Sequence, residues 1–541
     1  MDAPRPGLSR RAALRRVAWA AVGAAALSTA DLSHPTIAAA RPPQERGWYP
    51  KGVRPTRLYV VEESALSSAE RVLVATLQGQ LARRRQPDGS APGIYVTIPG
   101  VGYEVWLADL ADRYGIPLTH GDGVRDLLDR FADSASGYVL YRGDGVNAAT
   151  TVAGLTGSIA VEEGLEPLAR EYGLGLVADV RDKDDRWVRQ TYGSRLRGDL
   201  VIEQKPDFSN QLRDYATLTG AFTFYDGNSS FRERVVADLD PDAAVLGWGD
   251  ASSGEDAFVS VSSRAGVRTI PADHARNLAP LSGISLNRVT QRRPRRLPRP
   301  EPGCHYVAFL VTDGDNIQWM LNDFQSSTRW FASPHRGSLD LGWGISPSLV
   351  DLAPSVMRWY YDHAATGAHH DSFVAGPSGG GYLYPSMYPR EELELHTARL
   401  AASMERADLD VVQIIDFGSF DDTDLWATYL RHRQIAGLIY LEYSRYDTHK
   451  GRIVWANDKP VISARTMLWD GLPGADETSV TAELNNADRD PTSPSGYSVV
   501  MWHAWSKSVA NVKTVVDNLA PHVRVVTPDV LVRMVAANVR R

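Results

Sequence analysis

Eight short apolar runs alternate with helical patterns through residues 304–541, and this alternation limits the fold more than any other feature of the chain. The runs are His305–Thr312, Leu339–Ile345, Ser372–Ala375, Asp410–Ile415, Ala436–Tyr443, Pro460–Met467, Tyr497–His503 and His522–Thr527. Their aliphatic and aromatic content, bounded by Gly, Pro, Asn and Asp, reads as strands buried on both faces. Helical patterns separate several of them, at Leu349–Ala364, Glu391–Ala407 and Asp424–Arg433, and a last one follows at Pro528–Val539. Eight strand–helix units in close to about 250 residues predict a (β/α)8 TIM-like barrel. A doubly wound open sheet is the alternative.

In such a barrel the carboxyl ends of the strands share one mouth, and chemistry collects there. The first strand breaks abruptly into Asp313-Gly314-Asp315-Asn316. If extended geometry persists, Val307, Phe309, Val311, Asp313 and Asp315 share one face. The fourth strand ends at Asp416 and the fifth at Glu442; the sixth carries Arg465, and the seventh ends with His503 and Trp505 on one face. Carboxylates among aromatic rings and a guanidinium suit glycoside cleavage, in which one carboxylic acid protonates the leaving oxygen and a second acts as nucleophile or base. Asp315 and Glu442 are the expected pair, with Glu442 preferred as the acid because it ends the greasier strand. Asp313 supports them, and Asn316, Trp319, Trp343, Asp416, Arg465, His503 and Trp505 are candidate substrate contacts. Plainer roles stay open: a turn or weak calcium site at Asp313–Asn316, a structural Glu442–Arg465 ion pair, a core His503, and core tryptophans.

The third strand is followed by Gly376-Pro377-Ser378-Gly379-Gly380-Gly381-Tyr382-Leu383-Tyr384-Pro385. Consecutive glycines permit backbone angles closed to other residues and allow a ligand close to the main chain. Gly381, Tyr382 and Tyr384 therefore join the candidate contacts. No Lys-Ser/Thr follows, so a phosphate cradle is not supported. The spacing Gly379, Gly381, Tyr382, Tyr384, Pro385 resembles the signature of the GxGYxYP family, described as "putative glycoside hydrolases". That family also shows an Asp-Gly-Asp-Asn strand end, matched here by Asp313 to Asn316, and an upstream α/β region. The resemblance covers most of the chain and implies a secreted carbohydrate-active barrel enzyme with an accessory amino-terminal domain.

Residues 57–290 also alternate strands and helices. Strands are expected at Leu58–Val61, Ile94–Val96, Tyr138–Tyr141, Leu176–Val180 and Ala244–Trp248, and a helix from Ser67 to Arg85 capped by Ser67 or Ser68. An amino-terminal α/β domain at 41–290, with one or two layers, and a Pro/Arg-rich linker at 291–303 follow from this pattern. Neither a dinucleotide fingerprint nor a Walker loop occurs. Gly247-Trp248, Glu255 and Asn277 are positions from this half that would reach the mouth if they are not ordinary loop residues.

At the amino terminus, Arg10-Arg11 precede an apolar run from Val17 to Ala30 and small residues at Ala38-Ala39-Ala40. This is the order of an export leader of the twin-arginine kind, 1–40, and predicts a secreted protein. The run is too short to span a membrane comfortably. A formal charge of -7 argues against nucleic-acid partners. The single cysteine, Cys304, excludes an internal disulfide and a cysteine metal cluster. No cofactor is expected. The rival readings are a metal-dependent polysaccharide deacetylase, with Asp313 or Asp315 and a histidine on a divalent ion, ranked lower because the adjacent His369 and His370 would point oppositely on a strand, and a carbohydrate-binding protein without catalysis.

Overall fold

The computed structural model describes residues 48–293 and 297–540. The leader read in residues 1–40 and the linker residues 294–296 lie outside the described residues.

The amino-terminal half contains three small parallel sheets. The first sets β1 (Arg57–Glu62) between β2 (Pro92–Thr97) and β3 (Leu118–His120), and the second sets β4 (Tyr138–Tyr141) between β5 (Ile159–Glu162) and β6 (Leu176–Asp179). The third contains β7 (Leu200–Glu203), β8 (Phe222–Phe224), β9 (Ala243–Gly247) and β10 (Val267–Ile270), in the order β10-β9-β7-β8. The sequence pattern did not mark β3, β5, β7, β8 or β10, because three or four residues show too little periodicity. The helix Ser68–Leu81 begins where expected. Ser67 accepts a hydrogen bond from the Glu70 N–H while the Glu70 carboxylate accepts one from the Ser67 N–H, a reciprocal cap. Val72 to Leu81 are all buried, and Gln78 and Gln80 donate to the carbonyls of Ile94, Ala153 and Ser158. This helix therefore joins the first two sheets. Asn277 takes part in the same joint, accepting from Gln78 and from the Val96 N–H, and does not reach the mouth.

The carboxyl-terminal half is one mixed α/β layer around a large curled sheet. Its strands are β11 (His305–Val311), β12 (Leu341–Ile345), β13 (Asp371–Ala375), β14 (Val411–Asp416), β15 (Gly437–Glu442), β16 (Ile453–Ala456), β17 (Lys459–Ser463), β18 (Thr466–Leu468), β19 (Tyr497–Trp502) and β20 (Val523–Val525). The hydrogen-bonded path runs β16-β17-β15-β14-β13-β12-β11-β19-β18. Only Ala464 and Arg465 separate β17 from β18, so one extended segment bonds β15 through its first half and β19 through its second. A regular eight-strand ring is not what these pairings form. β19 bonds β11 directly over Tyr306–Val311, and the short β20 bonds only the first three residues of β11. The expected single helix at Leu349–Ala364 is two, Leu349–Leu352 and Pro354–Asp362, because Pro354 has no N–H to continue the first.

What occupies the inside of the curl is the last helix, Pro528–Asn538. It touches β11, β13, β14, β15, β17 and β19. Val530, Leu531, Val532, Met534 and Val535 pack on Tyr306, Ala308, Leu310, Val374, Ile439, Ile462 and Val499. Space for it comes from residues without side chains: a Cβ on Gly342 would lie 2.3 Å from Pro528 Cγ, and one on Gly437 would lie 2.6 Å from Val532 Cγ1. Val307, Phe309 and Val311 face the other way, into the outer core with Trp343. The shared face expected for these three residues with Asp313 and Asp315 is lost because the extended backbone stops at Val311 and Asp313 is left-handed, φ 59°.

The linker does not start free. Gln291 exchanges hydrogen bonds with the Phe373 backbone and donates to the Asp408 carbonyl, and Arg293 pairs with Asp410 at 2.6 Å. A second joint between the halves is the buried Asp242. Its carboxylate receives Arg268 Nε at 3.0 Å, His396 Nδ1 at 2.9 Å, Arg399 Nη1 at 3.0 Å and Trp48 Nε1 at 3.2 Å. Burial alone would push this carboxyl up, but Arg268, His396 and Arg399 outweigh it and hold it well below the carboxylate range. Asp242→Ala strands buried cations and is expected to cost about 3–5 kcal/mol, measured by denaturant unfolding at pH 7. Since the folded-state pKa is depressed, that contribution is present above the ordinary Asp value and fades as pH falls. An unchanged midpoint would show that the joint contributes nothing.

Candidate active site

Where β11 ends, the chain turns tightly. Asn316 Nδ2 donates to the Asp313 carbonyl at 2.8 Å, which closes the Asp-Gly-Asp-Asn turn and gives Asn316 a structural task. Asp313 is partly exposed, and its carboxylate accepts from the Tyr382 hydroxyl at 2.8 Å and from the Thr312 hydroxyl. Asp315 is 1% exposed, and neither carboxylate oxygen has a hydrogen-bond partner. Desolvation, then the charge of Asp313, raises its pKa well above the usual value, so it stays protonated. Its side chain lies against the third-strand loop: a Cβ on Gly376 would fall 2.2 Å from Asp315 Cβ.

The glycine-rich loop is packed between the halves of the protein rather than open to a ligand. Gly381 has φ 136°, and a Cβ there would lie 2.3 Å from Ile270 Cδ1. The loop thereby lies alongside β10, where Thr269 and Tyr382 exchange backbone hydrogen bonds of 3.0 and 2.8 Å. Arg268 Nη1 donates to the Gly380 carbonyl, and the Tyr384 N–H donates to Ser263 Oγ. The result is a Tyr382 hydroxyl aimed at Asp313.

Two residues of the third amino-terminal sheet reach the same place. The Trp248 ring meets the Tyr382 ring edge-on at 5.3 Å. Glu255, half-buried, opens the helix Glu255–Arg264. Desolvation, then the charges of Asp313 and Asp256, push its carboxyl up to about 7. Opposite them stands an aromatic wall. His503 stacks on Trp469 at 3.6 Å and 6°, Trp469 on Tyr446 at 4.8 Å, and Tyr443 meets Phe417 at 4.9 Å and Tyr384 at 5.7 Å. Desolvation lowers the His503 pKa, opposed by the charges of Asp313 and Asp470. Phe417, Tyr443 and Trp469 were missed in the sequence, although each is the residue that follows the end of β14, β15 or β18.

The remaining candidates are placed elsewhere or satisfied otherwise. Glu442 is 3% exposed and accepts from the Ser444 hydroxyl at 2.8 Å, Gly418 N–H at 2.8 Å and Tyr440 hydroxyl at 3.0 Å. Burial would raise its pKa, but these donors outweigh it and hold the carboxyl below its usual value. The expectation of Glu442 as proton donor is therefore revised: it is an ionised anchor for its loops. Asp416 accepts from Ser386 and Ser419, which tie it to the end of the glycine-rich loop. Arg465 does not pair with Glu442; it donates to Ser498 Oγ and to the carbonyls of Ser495 and Tyr497, where β19 begins. Trp343 is wholly buried and bonds Asp371, a core role. Trp319 is core too, but it backs the 46% exposed Trp505 at 5.0 Å. His369 and His370 lie beside Asp340 at the amino-terminal end of β13, away from Asp313. Among the described residues no group of three or more His, Cys, Asp or Glu is arranged to hold a metal ion.

Residues 303–536 match the family described as "GxGYxYP putative glycoside hydrolase C-terminal domain". The first, second and third amino-terminal domains of the same family match 57–133, 135–196 and 198–283. The chain belongs to the GxGYxYP family. It is also similar to a crystal structure described as "a putative hydrolase from Bacteroides thetaiotaomicron VPI-5482", with 33% identity and a TM-score of 0.83 over 91% of this chain and 97% of that one. A comparison with curated proteins found no match. In this GxGYxYP protein the signature tyrosines are thus the link between its third and carboxyl-terminal domains.

Gly376→Ala should force Asp315 out of place. Overpacking of this kind costs about 1–3 kcal/mol, read as a lower thermal midpoint. A variant that melts with the wild type would contradict the close approach.

Proposed function

We propose that this protein is a secreted glycoside hydrolase that cleaves a polysaccharide or oligosaccharide through carboxyl groups at the end of β11. The observation that carries the reading is the partly exposed Asp313 carboxylate after β11, bonded by the Tyr382 hydroxyl at 2.8 Å, with the buried and unpartnered Asp315 two residues on, whose pKa burial and the charge of Asp313 raise. Glycosidic cleavage needs such a division: one carboxyl that keeps its proton and one that stays ionised, in one hollow. Asp313, held by the Tyr382 hydroxyl, is the partner that attacks the anomeric carbon or deprotonates water. Asp315 stays neutral behind it. The stacked rings of His503 and Trp469, and the exposed face of Trp505, suit the apolar faces of sugars. The family description and the hydrolase neighbour support the same reaction class.

The test is hydrolysis of an oligosaccharide panel by the mature chain. Asp313→Asn should lower kcat by about 10²–10⁴ while sugar binding survives. Tyr382→Phe should fold normally and lose a smaller part of kcat. Full turnover by Asp313→Asn would remove the site assignment, and binding without turnover by the wild type would leave a carbohydrate-binding protein.

Secretion rests on the leader read in residues 1–40. Replacing Arg10 and Arg11 together with lysine should trap the uncleaved precursor inside the cell, as seen by fractionation and immunoblot. Normal export of that variant would argue against the twin-arginine route.

A further inference from the structure

The geometry points to Glu255, from the third amino-terminal domain, as the catalytic proton donor. This assignment rests on the hydrolase reading and names its missing acid. The third sheet has the order β10-β9-β7-β8, with every neighbouring pair parallel. From β7 the chain goes to β8 on one side and then returns to β9 on the other, so the winding direction reverses between β7 and β9. Open α/β sheets bind ligands in the crevice outside the strand ends at such a reversal. The loop that leaves β9 there carries Trp248 and leads into Glu255. Here that crevice is not a separate site, because the glycine-rich loop lies alongside β10 and brings Tyr382 against Trp248.

The helix that Glu255 opens packs on the signature loop: the Tyr384 N–H donates to Ser263 Oγ at 3.0 Å, and Phe258 shares an apolar cluster with Tyr382 and Tyr384. Half-exposed at the start of that helix, Glu255 lies at the domain junction beside the loop whose Tyr382 hydroxyl bonds Asp313 at 2.8 Å. The charges that act on it, Asp313 and Asp256, are both negative. The other two acids cannot serve. Asp315 is enclosed with its oxygens shut off from solvent, and the Glu442 carboxylate accepts from the Gly418 N–H, the Tyr440 hydroxyl and both the N–H and hydroxyl of Ser444. Glu255 is half-exposed, whereas Asp315, Asp416 and Glu442 are buried.

In the reaction, the carboxyl proton of Glu255 passes to the glycosidic oxygen as the C1–O bond breaks and its electron pair stays on that oxygen. The water that completes hydrolysis places its hydroxyl on C1, and its proton returns to the carboxyl pair. No oxidant, reductant or further reactant is needed.

The experiment compares Glu255→Gln and Glu255→Ala with the wild type on an oligosaccharide and on the dinitrophenyl glycoside of the same sugar, whose leaving group needs no proton. Both variants should lose at least about 100-fold in kcat/KM on the oligosaccharide, and less than about tenfold on the dinitrophenyl substrate. The wild-type profile should fall as pH rises through about 7, and this alkaline limb should be absent from the variants on the dinitrophenyl substrate. Melting gives a readout apart from activity. The folded-state pKa of Glu255 is raised, so ionising it costs stability as pH rises through that value. Glu255→Gln should therefore melt above the wild type at pH 8 and with it at pH 5. Equal loss on both substrates with the alkaline limb unchanged would overturn this assignment alone. A wild type inactive on every glycoside would overturn the hydrolase reading and this assignment with it.

Discussion

Two backbone hydrogen bonds between Thr269 and Tyr382 hold the working part of this protein together. They place a residue of the glycine-rich loop beside a strand of the third sheet, so neither half completes the site alone. The turn after β11 is held from the same side. Ile317 donates to the Pro271 carbonyl, Gly102 to Asn322, and the Trp106 indole to Leu321. A flexible loop carrying Asp313 and Asp315 would let the two carboxyl groups drift apart; one tied at this many points cannot. Directional main-chain bonds are suited to the task, because each fixes a distance and an angle without adding another charge to the hollow.

The crowding of acids is destabilising by itself. Asp315 is buried without a partner, and Glu255 sits among like charges. Such groups persist only where the surroundings overdetermine them. The Asp242 joint, with its guanidiniums and histidine, lies directly behind the glycine-rich loop and supplies part of that restraint: Arg268 bonds both Asp242 and the Gly380 carbonyl. The carboxyl-terminal helix supplies another part. By filling the inside of the curled sheet it leaves the strand ends, and the loops that follow them, to carry the site.

Much of the carboxyl-terminal half was legible from residue order. Seven of the eight expected strands form as single strands and the sixth divides into β17 and β18; runs such as Tyr306–Val311 and Gly437–Leu441 are apolar on both faces and fit a covered parallel sheet. The signature tyrosines and the Asp-Gly-Asp-Asn turn were visible as local patterns. The place of the last helix was not, since an amphipathic stretch after a strand reads the same whether it packs outside a sheet or within it. Glu442 illustrates the same limit at the site. A carboxylate ending a greasy strand resembles a strained acid until Ser444, Gly418 and Tyr440 are seen around it.

Sequence by itself determined the parallel α/β class, the family signature and the strand end that carries Asp313, since each depends on neighbours within a few residues. Tertiary structure alone decided which acids meet. Glu255 and Asp313 come from different domains, and they are brought together only because the signature loop docks on β10 and on the helix that Glu255 opens. Electrostatic energy depends on distance through space, and residue order does not encode that distance until the domains dock.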